Sequence, residues 1–244
     1  MLLALGYSIR SSTKKTLIQR VWKSSGQALI SGLQERKVLR NSKSQLGQDI
    51  LGLSATGLGK SGFFVEFGAS DGFALSNTHL LEKQFGWSGI LCEPSKSWHQ
   101  ALRKNRSCVI DTRCVYSSTG EKVGFSENYL GELSSITKFA ETNSSGLLNR
   151  TTSSYDVETI SLIDLLDYHK APKHIDFLSV DTEGSEFEIL EAFDFSKYTF
   201  GVICVEHNFA DTKGKINKLL LANGYKQVHA DLSDFDDWYV QETN

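Results

Sequence analysis

The run Gly68-Ala69-Ser70-Asp71-Gly72 closely follows Glu66, and a further acid, Glu93, lies 21 residues beyond Gly72. Two glycines this close make a tight strand-to-helix turn. The run lacks the G-x-G-x-x-G spacing that seats a pyrophosphate on a helix N-terminus, and no G-x-x-x-x-G-K phosphate loop occurs. Glu66 and Asp71 would repel phosphate and suit a cationic or hydroxyl-bearing ligand. Glu93 stands near the spacing at which a second-strand acid accepts hydrogen bonds from ribose hydroxyls. A positively charged nucleoside without phosphate meets both conditions, and S-adenosylmethionine is such a molecule. The plainer alternative is a tight turn beside a solvated Glu93.

A second group of polar residues, Asp181, Glu183, Glu186, Glu206 and His207, offers proton-transfer chemistry. The imidazole of His207 titrates near neutrality and is the natural general base, with Glu206 placed to hold it. The same carboxylates match the hard-oxygen preference of Mg²⁺ or Mn²⁺, but their spacing is not that of a metal motif, and a metal-independent site is expected. Ser185 and Glu188 read as an S-x-x-E capping box.

These residues need a scaffold that brings them together. From residue 62 onward, short apolar runs alternate with helical segments. Strands are expected at 63–67, 89–92, from 108, at 175–180, 201–205, 225–230 and 238–241. Helices are expected at 75–85, capped by Ser76 or Asn77, and at 95–105, 161–168, 186–192 and 213–223. Residues 141–156 read as a long polar loop. Doubly apolar strands alternating with helices make an α/β fold with a parallel sheet covered on both faces and an antiparallel closing pair. Four strands end at or beside an acid (Glu66, Glu93, Asp181, Glu206), and ligands bind at the carboxyl edge of such sheets.

The chain has 244 residues, 40% of them apolar and 23% charged, an ordinary globular composition. No run of eighteen uncharged apolar residues is present to span a membrane. Four cysteines without a C-x-x-C suggest a reducing compartment, and a cytoplasmic location is expected. Charge is unevenly spread: residues 1–44 hold nine Lys/Arg and one acid, against 17 Lys/Arg and 28 acids in the remainder. Leu17, Ile18, Val21, Trp22, Leu29 and Leu33 recur at helical spacing in this arm. It reads as an extension, residues 1–43, ahead of a domain at 44–244. The arm either contacts an anionic membrane surface or acceptor, or packs on the domain as a solvated helix. Nucleic acid is not an expected partner, because the domain is acidic.

Three motifs carry a family resemblance. F-V-E-F-G-A-S-D-G-F-A-L-S-N-T-H-L-L-E-K-Q-F-G-W-S-G-I-L-C-E-P (Phe64–Pro94), D-F-L-S-V-D-T-E-G-S-E-F-E-I-L (Asp176–Leu190) and S-Q-L-G-Q-D (Ser44–Asp49) resemble the FkbM-type methyltransferases. The resemblance implies a Rossmann-like class I methyltransferase fold, seven strands with the last antiparallel. It also implies methyl transfer from S-adenosylmethionine, usually to a hydroxyl of a sugar, glycan or glycolipid. Carried over by position, Glu66, Gly68, Ala69 and Gly72 would floor the cofactor site, Asp71 would bind its ammonium and Glu93 its ribose. Asn77 and Thr78 would help hold it, with Gln45 and Asp49 as a lid. Asp181 would face the methyl group and orient it. His207 and Glu206 would serve the proton, and Glu183, Glu186 and His207 would meet the acceptor. Cys114-Val115-Tyr116 departs from the family's small residues and obscures the adenine pocket. Two rivals remain: a non-catalytic interaction module, which loss of the glycines or of Glu93 would favour, and a nicotinamide-dependent oxidoreductase, which the missing phosphate glycines oppose.

Overall fold

A computed structural model describes residues 12–20, 32–57, 61–128, 133–140 and 151–242. Residues 12–20 form helix α1. They are followed by α2 (Gly32–Asn41), α3 (Gln48–Ala55), β1 (Phe63–Phe67), α4 (His79–Phe85), β2 (Ser88–Cys92), α5 (His99–Asn105) and β3 (Val109–Asp111). The middle of the chain holds β4 (Cys114–Tyr116), β5 (Lys122–Asn128), β6 (Ser135–Ile136), α6 (Thr137–Ala140) and β7 (Thr151–Ser161). The remainder runs α7 (Leu162–Tyr168), β8 (His174–Val180), α8 (Glu186–Glu191), β9 (Thr199–Glu206), α9 (Lys213–Ala222), β10 (Tyr225–Val228) and β11 (Asp236–Gln241).

Seven strands form one sheet in the order β10-β11-β9-β8-β1-β2-β3. All pairings are parallel except those of β11, which runs antiparallel to both β9 and β10. Side chains alternate across the strands, so Val65 and Phe67 join one core with Ile90, Leu178 and Ile203 beneath α7, α8 and α9. Phe64, Leu91, Phe177, Val202 and Trp238 face the other way, into a core with α3 and α4. The register sets Phe67 opposite Cys92 and Val180 opposite Val205. The carboxyl ends of β1, β2, β8 and β9 therefore share one edge, and the polar residues that follow them are brought together.

A second sheet, in the order β4-β7-β5-β6, was not foreseen. Of the expected 141–156 loop, residues 141–150 lie outside the described residues, whereas Thr151–Asp156 belong to β7, paired antiparallel with β5. The run looks like a loop because its first four residues are solvent-exposed on both faces. Cross-strand pairing with Phe125 and Ser126, not burial, holds it extended.

Two helices start later than expected. Helix α4 begins after Thr78, which takes the cap position in place of Ser76 or Asn77, while Ser76 Oγ accepts from His79 N at 3.1 Å. Leu75 has a positive φ of 60° and bridges to Ser44 instead of turning helically. Helix α5 begins at His99 and not Ser95, and residues 95–98 form tighter turns in which Trp98 N donates to Ser95 O at 3.2 Å and His99 N to Lys96 O at 3.4 Å.

The described part of the basic arm packs on the domain. Leu17 and Ile18 are buried in the same core as Ile50 and Phe64, and Arg20 forms a bidentate pair with Asp231 at 2.8 Å. Those two apolar residues are turned away from any lipid surface. Val21, Trp22 and Leu29 lie outside the described residues, as does the side chain of Leu33. Among the described residues, no helix is long and apolar enough to cross a membrane.

Arg106, at the end of α5, is 4% exposed and ties the turn after β1 to the rest of the domain. Its Nε donates to Glu82 at 2.5 Å, Nη1 to Gly72 O at 3.2 Å and Ser76 Oγ at 3.1 Å, and Nη2 to Thr78 Oγ1 at 2.8 Å. Glu66 stands 3.7 Å away as a second carboxylate. Removing the cation leaves buried carboxylates uncompensated, so Arg106→Met is expected to cost about 3–5 kcal/mol in urea unfolding. Adding Glu66→Gln to that variant should recover part of the loss. A double variant less stable than the single would show that the charges are not coupled.

Candidate active site

A cleft of about 200 Å³ opens at the shared strand edge. Its floor is the turn after β1. Gly68 has φ of 69°, and a Cβ there would overlap the Asp181 carbonyl oxygen, so only glycine lets β1 and β8 close up at this point. Ala69, Ser70 and Asn77 continue the floor, and Cys114, Val115, Phe125 and Ile136 make an apolar wall. Two of those four come from the unforeseen strands β5 and β6, which therefore complete the cleft.

The charged lining has one sign. Glu93, Asp181, Glu183, Glu206 and Asp236 face the cleft, and among the described residues no Lys, Arg or His does. Burial pushes Glu93 up to about 7, although it accepts from Ser70 N at 2.7 Å and Ser95 N at 2.8 Å. Burial raises Asp236 to about 6, offset by hydrogen bonds from Gln48 Nε2 (2.5 Å) and Trp238 Nε1 (3.2 Å). Asp181 is raised well above the usual carboxylate range by burial and then by the Glu206 charge. Glu206 is raised to about 8 by burial, with Glu183 and Asp236 adding to it and the hydrogen bond with Asp181 opposing. Two carboxyl groups this close hold one proton between them near neutrality.

Several expected ligands of the site are otherwise engaged. Glu66 does not line the cleft: its oxygens accept from Asn77 N at 2.7 Å, Ser76 Oγ at 3.1 Å and Thr78 Oγ1. Asp71 Oδ1 accepts from Phe73 N and Ala74 N, both at 2.8 Å, which closes a turn outside the cleft. Gly72 is there for packing, since a Cβ would meet Arg106 Cγ and Leu102 Cδ1 at 2.6 Å. Glu186 Oε1 clasps Thr182 N, Thr182 Oγ1 and Gly184 N at 2.9–3.0 Å, shaping the turn after β8 instead of facing an acceptor. The S-x-x-E box is not formed, because Ser185 Oγ donates to Thr182 Oγ1 instead of capping α8.

His207 is the largest correction. It is 4% exposed and absent from the cleft lining. Its Nδ1 accepts from Phe209 N at 3.0 Å, and its Nε2 lies 3.5 Å from Asp237 Oδ1, on β11. Nδ1 is thus occupied, Nε2 is buried without a hydrogen-bond partner, and neither lines the cleft. Of the two proposed lid residues, Gln45 lines the cleft, while Asp49 is buried outside its lining and accepts from Ser42 Oγ at 2.9 Å and Ser44 Oγ at 2.6 Å.

The residues the structure does bring together are Gly68, Ala69, Asn77, Glu93, Asp181, Glu183 and Glu206. Asn77 Nδ2 donates to Ser179 Oγ at 2.9 Å, and its Oδ1 is buried with no hydrogen-bond partner, an acceptor awaiting a donor. Sequence reasoning missed Gln48, Asp236 and Asn208, whose Nδ2 donates to Glu206 Oε2 at 2.9 Å. Gln48 sits inside the Ser44–Asp49 motif, which was the available signal. Oxygens of Asp181, Glu183 and Glu206 lie within 4.8 Å of one another, a set able to hold a divalent metal or an organic cation.

The strand order and the carboxyl-edge cleft place the fold among the Rossmann-like class I methyltransferases. The sequence model of the methyltransferase FkbM domain matches residues 66–230, and the chain belongs to that family. Two solved structures illustrate its distant likenesses. The FkbM methyltransferase of Methylobacillus flagellatus KT is 15% identical, with 96% of this chain and 60% of that one covered and a TM-score of 0.46. Precorrin-6y C5,15-methyltransferase of Geobacter metallireducens GS-15 is 13% identical, with 84% and 92% covered and a TM-score of 0.43. No curated protein sequence matches this chain.

Carboxyl groups whose folded pKa is raised favour the protein most below about pH 4, where they are neutral in both states, and that advantage is lost as pH rises through the folded values. His79, lowered to about 4, works in the opposite direction only up to its unfolded value near 6.5. Between about pH 6.5 and 8 the ligand-free protein is therefore expected to lose thermal stability, and Glu206→Gln should flatten the slope. Scanning calorimetry across that range is the measurement, and a melting temperature that rises with pH would contradict the charge arrangement.

Proposed function

We propose that this chain transfers a methyl group from S-adenosylmethionine to a hydroxyl oxygen of a sugar, glycan or glycolipid. The observation that carries the reading is the cleft lined by five carboxylates and, among the described residues, by no basic side chain. Such a lining rejects a dinucleotide's pyrophosphate and favours a nucleoside bearing an ammonium and a sulfonium. The residues fit that molecule. Asn77 Oδ1 is an unpartnered acceptor suited to the ammonium, and Glu93 keeps a lone pair on each oxygen for the ribose hydroxyls. Cys114, Val115, Phe125 and Ile136 give a purine a face from which water is excluded.

Bound there, the sulfonium supplies an electrophilic methyl group. Displacement at carbon needs the acceptor oxygen in line, and the hydroxyl proton must leave as the bond forms. Beside the positive charge, Asp181 and Glu206 release the proton they share, so both carboxylates are ionised, and Asp181 orients the acceptor hydroxyl. Glu206 then takes the proton on its carboxylate, the role first assigned to His207. The choice of hydroxyl over another nucleophile, and of a saccharide over other acceptors, rests on likeness within the family.

Isothermal titration with S-adenosylhomocysteine tests the cofactor reading. Wild type should bind, and Glu93→Ala should weaken binding by about ten- to a hundred-fold through loss of charge-assisted hydrogen bonds. No heat from wild type at high protein concentration ends the reading. For the proton, Glu206→Gln should lower kcat by about a hundred-fold or more, while His207→Gln should stay within about two-fold of wild type. A one-methyl mass gain on candidate glycans is the assay, run with and without EDTA. A His207→Gln loss as large as that of Glu206→Gln would return the base to the imidazole.

A further inference from the structure

A second cleft, of about 460 Å³, adjoins the first and shares Gln45, Ala74 and Leu75 with it as a common wall. Its charge is opposite. Lys14, Arg40 and Lys43 line it, and among the described residues no carboxylate does. These cations come from three places in the basic arm: α1, the last turn of α2 and the segment leading to α3.

Their positions are set by packing. Burial of Leu17 and Ile18 fixes α1 against the domain, and Lys14 Nζ donates to Ser42 O at 3.4 Å. The buried Asp49 carboxylate lies within electrostatic reach of Lys14, below the cleft. Lys43 Nζ sits 4.4 Å from the centre of the Phe73 ring, and that ring is 43% exposed, unusual for a large apolar side chain. The cleft thus combines converging positive charge and an aromatic face.

We propose that this basic cleft binds an anionic group of the methyl acceptor, a phosphate or a carboxylate, so that the acceptor's hydroxyl passes the Gln45–Leu75 wall into the acidic cleft. The proposal rests on the methyl-transfer reading and narrows its acceptor to an acidic molecule. An anionic acceptor is repelled by five carboxylates unless its charge is held elsewhere, and the adjoining cleft is where the chain offers that hold. Phe73 gives the acceptor's ring an apolar surface beside the anchored charge.

The test titrates methyl phosphate and acetate, at constant ionic strength, into wild type and into an Arg40→Glu/Lys43→Glu double variant, read by backbone amide NMR. Expected are shifts confined to residues 40–45 and 73–75 with at least one probe, weakened about ten-fold or more by charge reversal. S-adenosylhomocysteine affinity of the same variant should stay within about two-fold, showing that the acidic cleft is intact. Absence of shifts with both probes, or shifts indifferent to the variant, overturns the proposal. So does binding of wild type to phosphatidylglycerol vesicles while neither small anion binds, which would assign the surface to a membrane. Anion shifts without S-adenosylhomocysteine binding would leave the basic site standing and remove the methyl-transfer reading instead.

Discussion

The buried guanidinium of Arg106 is the constraint on which the cleft depends. It bonds Glu82 on one side and the turn between β1 and α4 on the other, with Glu66 held close by. That turn contains Gly68, Ala69, Ser70 and Asn77, four members of the cleft floor. Its backbone visits positive φ at Gly68, Ser70, Gly72 and Leu75, which no regular hydrogen-bond ladder would sustain. The ion network supplies the missing ladder. Glu66 serves the backbone and hydroxyls of residues 76–78, Arg106 reaches Gly72 O, Ser76 and Thr78, and Gly72 leaves the space through which Arg106 passes.

The cleft itself is held in electrostatic tension. Five carboxylates share a small volume, and burial raises at least four of them. A fold does not gather like charges in a dry place for stability, since each would sit better in water. The arrangement becomes favourable when a cation enters: the charge that opposes the carboxylates lowers their pKa and releases protons. In the free protein protonation relieves part of the repulsion, and an entering cation takes the place of those protons as the compensating charge. The same logic separates this chain from phosphate-binding sheets, whose turns present backbone N–H groups to an anion. Here the corresponding N–H of Ser70 is already taken by Glu93.

The alternation of apolar runs and helices was legible because each central strand is buried on both faces. The strand-end acids followed from it, and the sheet edge collected Glu93, Asp181 and Glu206 as expected. Illegible was the direction in which each carboxylate points. Glu66, Asp71 and Glu186 have the residue type and position of ligands, yet each is captured by backbone N–H groups two to eleven residues away. A capturing amide leaves no trace in the side-chain sequence. His207 was misread for a related reason: it follows a strand that ends at the cleft, but its ring turns toward β11, whose position beside β9 only the tertiary pairing decides. The second sheet escaped because β7 has no buried face over its first half, so the period-2 signal of a half-buried strand is missing there.

The basic arm gains its meaning from this geometry. Read alone, nine cations against one acid in residues 1–44 describe a surface segment of no fixed partner. Packed through Leu17 and Ile18 onto the domain, the arm places three of those cations in a cleft that adjoins the acidic one. Two clefts of opposite sign separated by one wall sort their occupants: a cation is repelled by Lys14, Arg40 and Lys43 and favoured by the carboxylates beyond them, while an anion is favoured at the basic cleft. For a reaction that joins a positively charged donor to a second molecule, such sorting keeps the partners from competing for one site. Charge asymmetry along the sequence is thus converted by one helix–domain contact into charge asymmetry across the site.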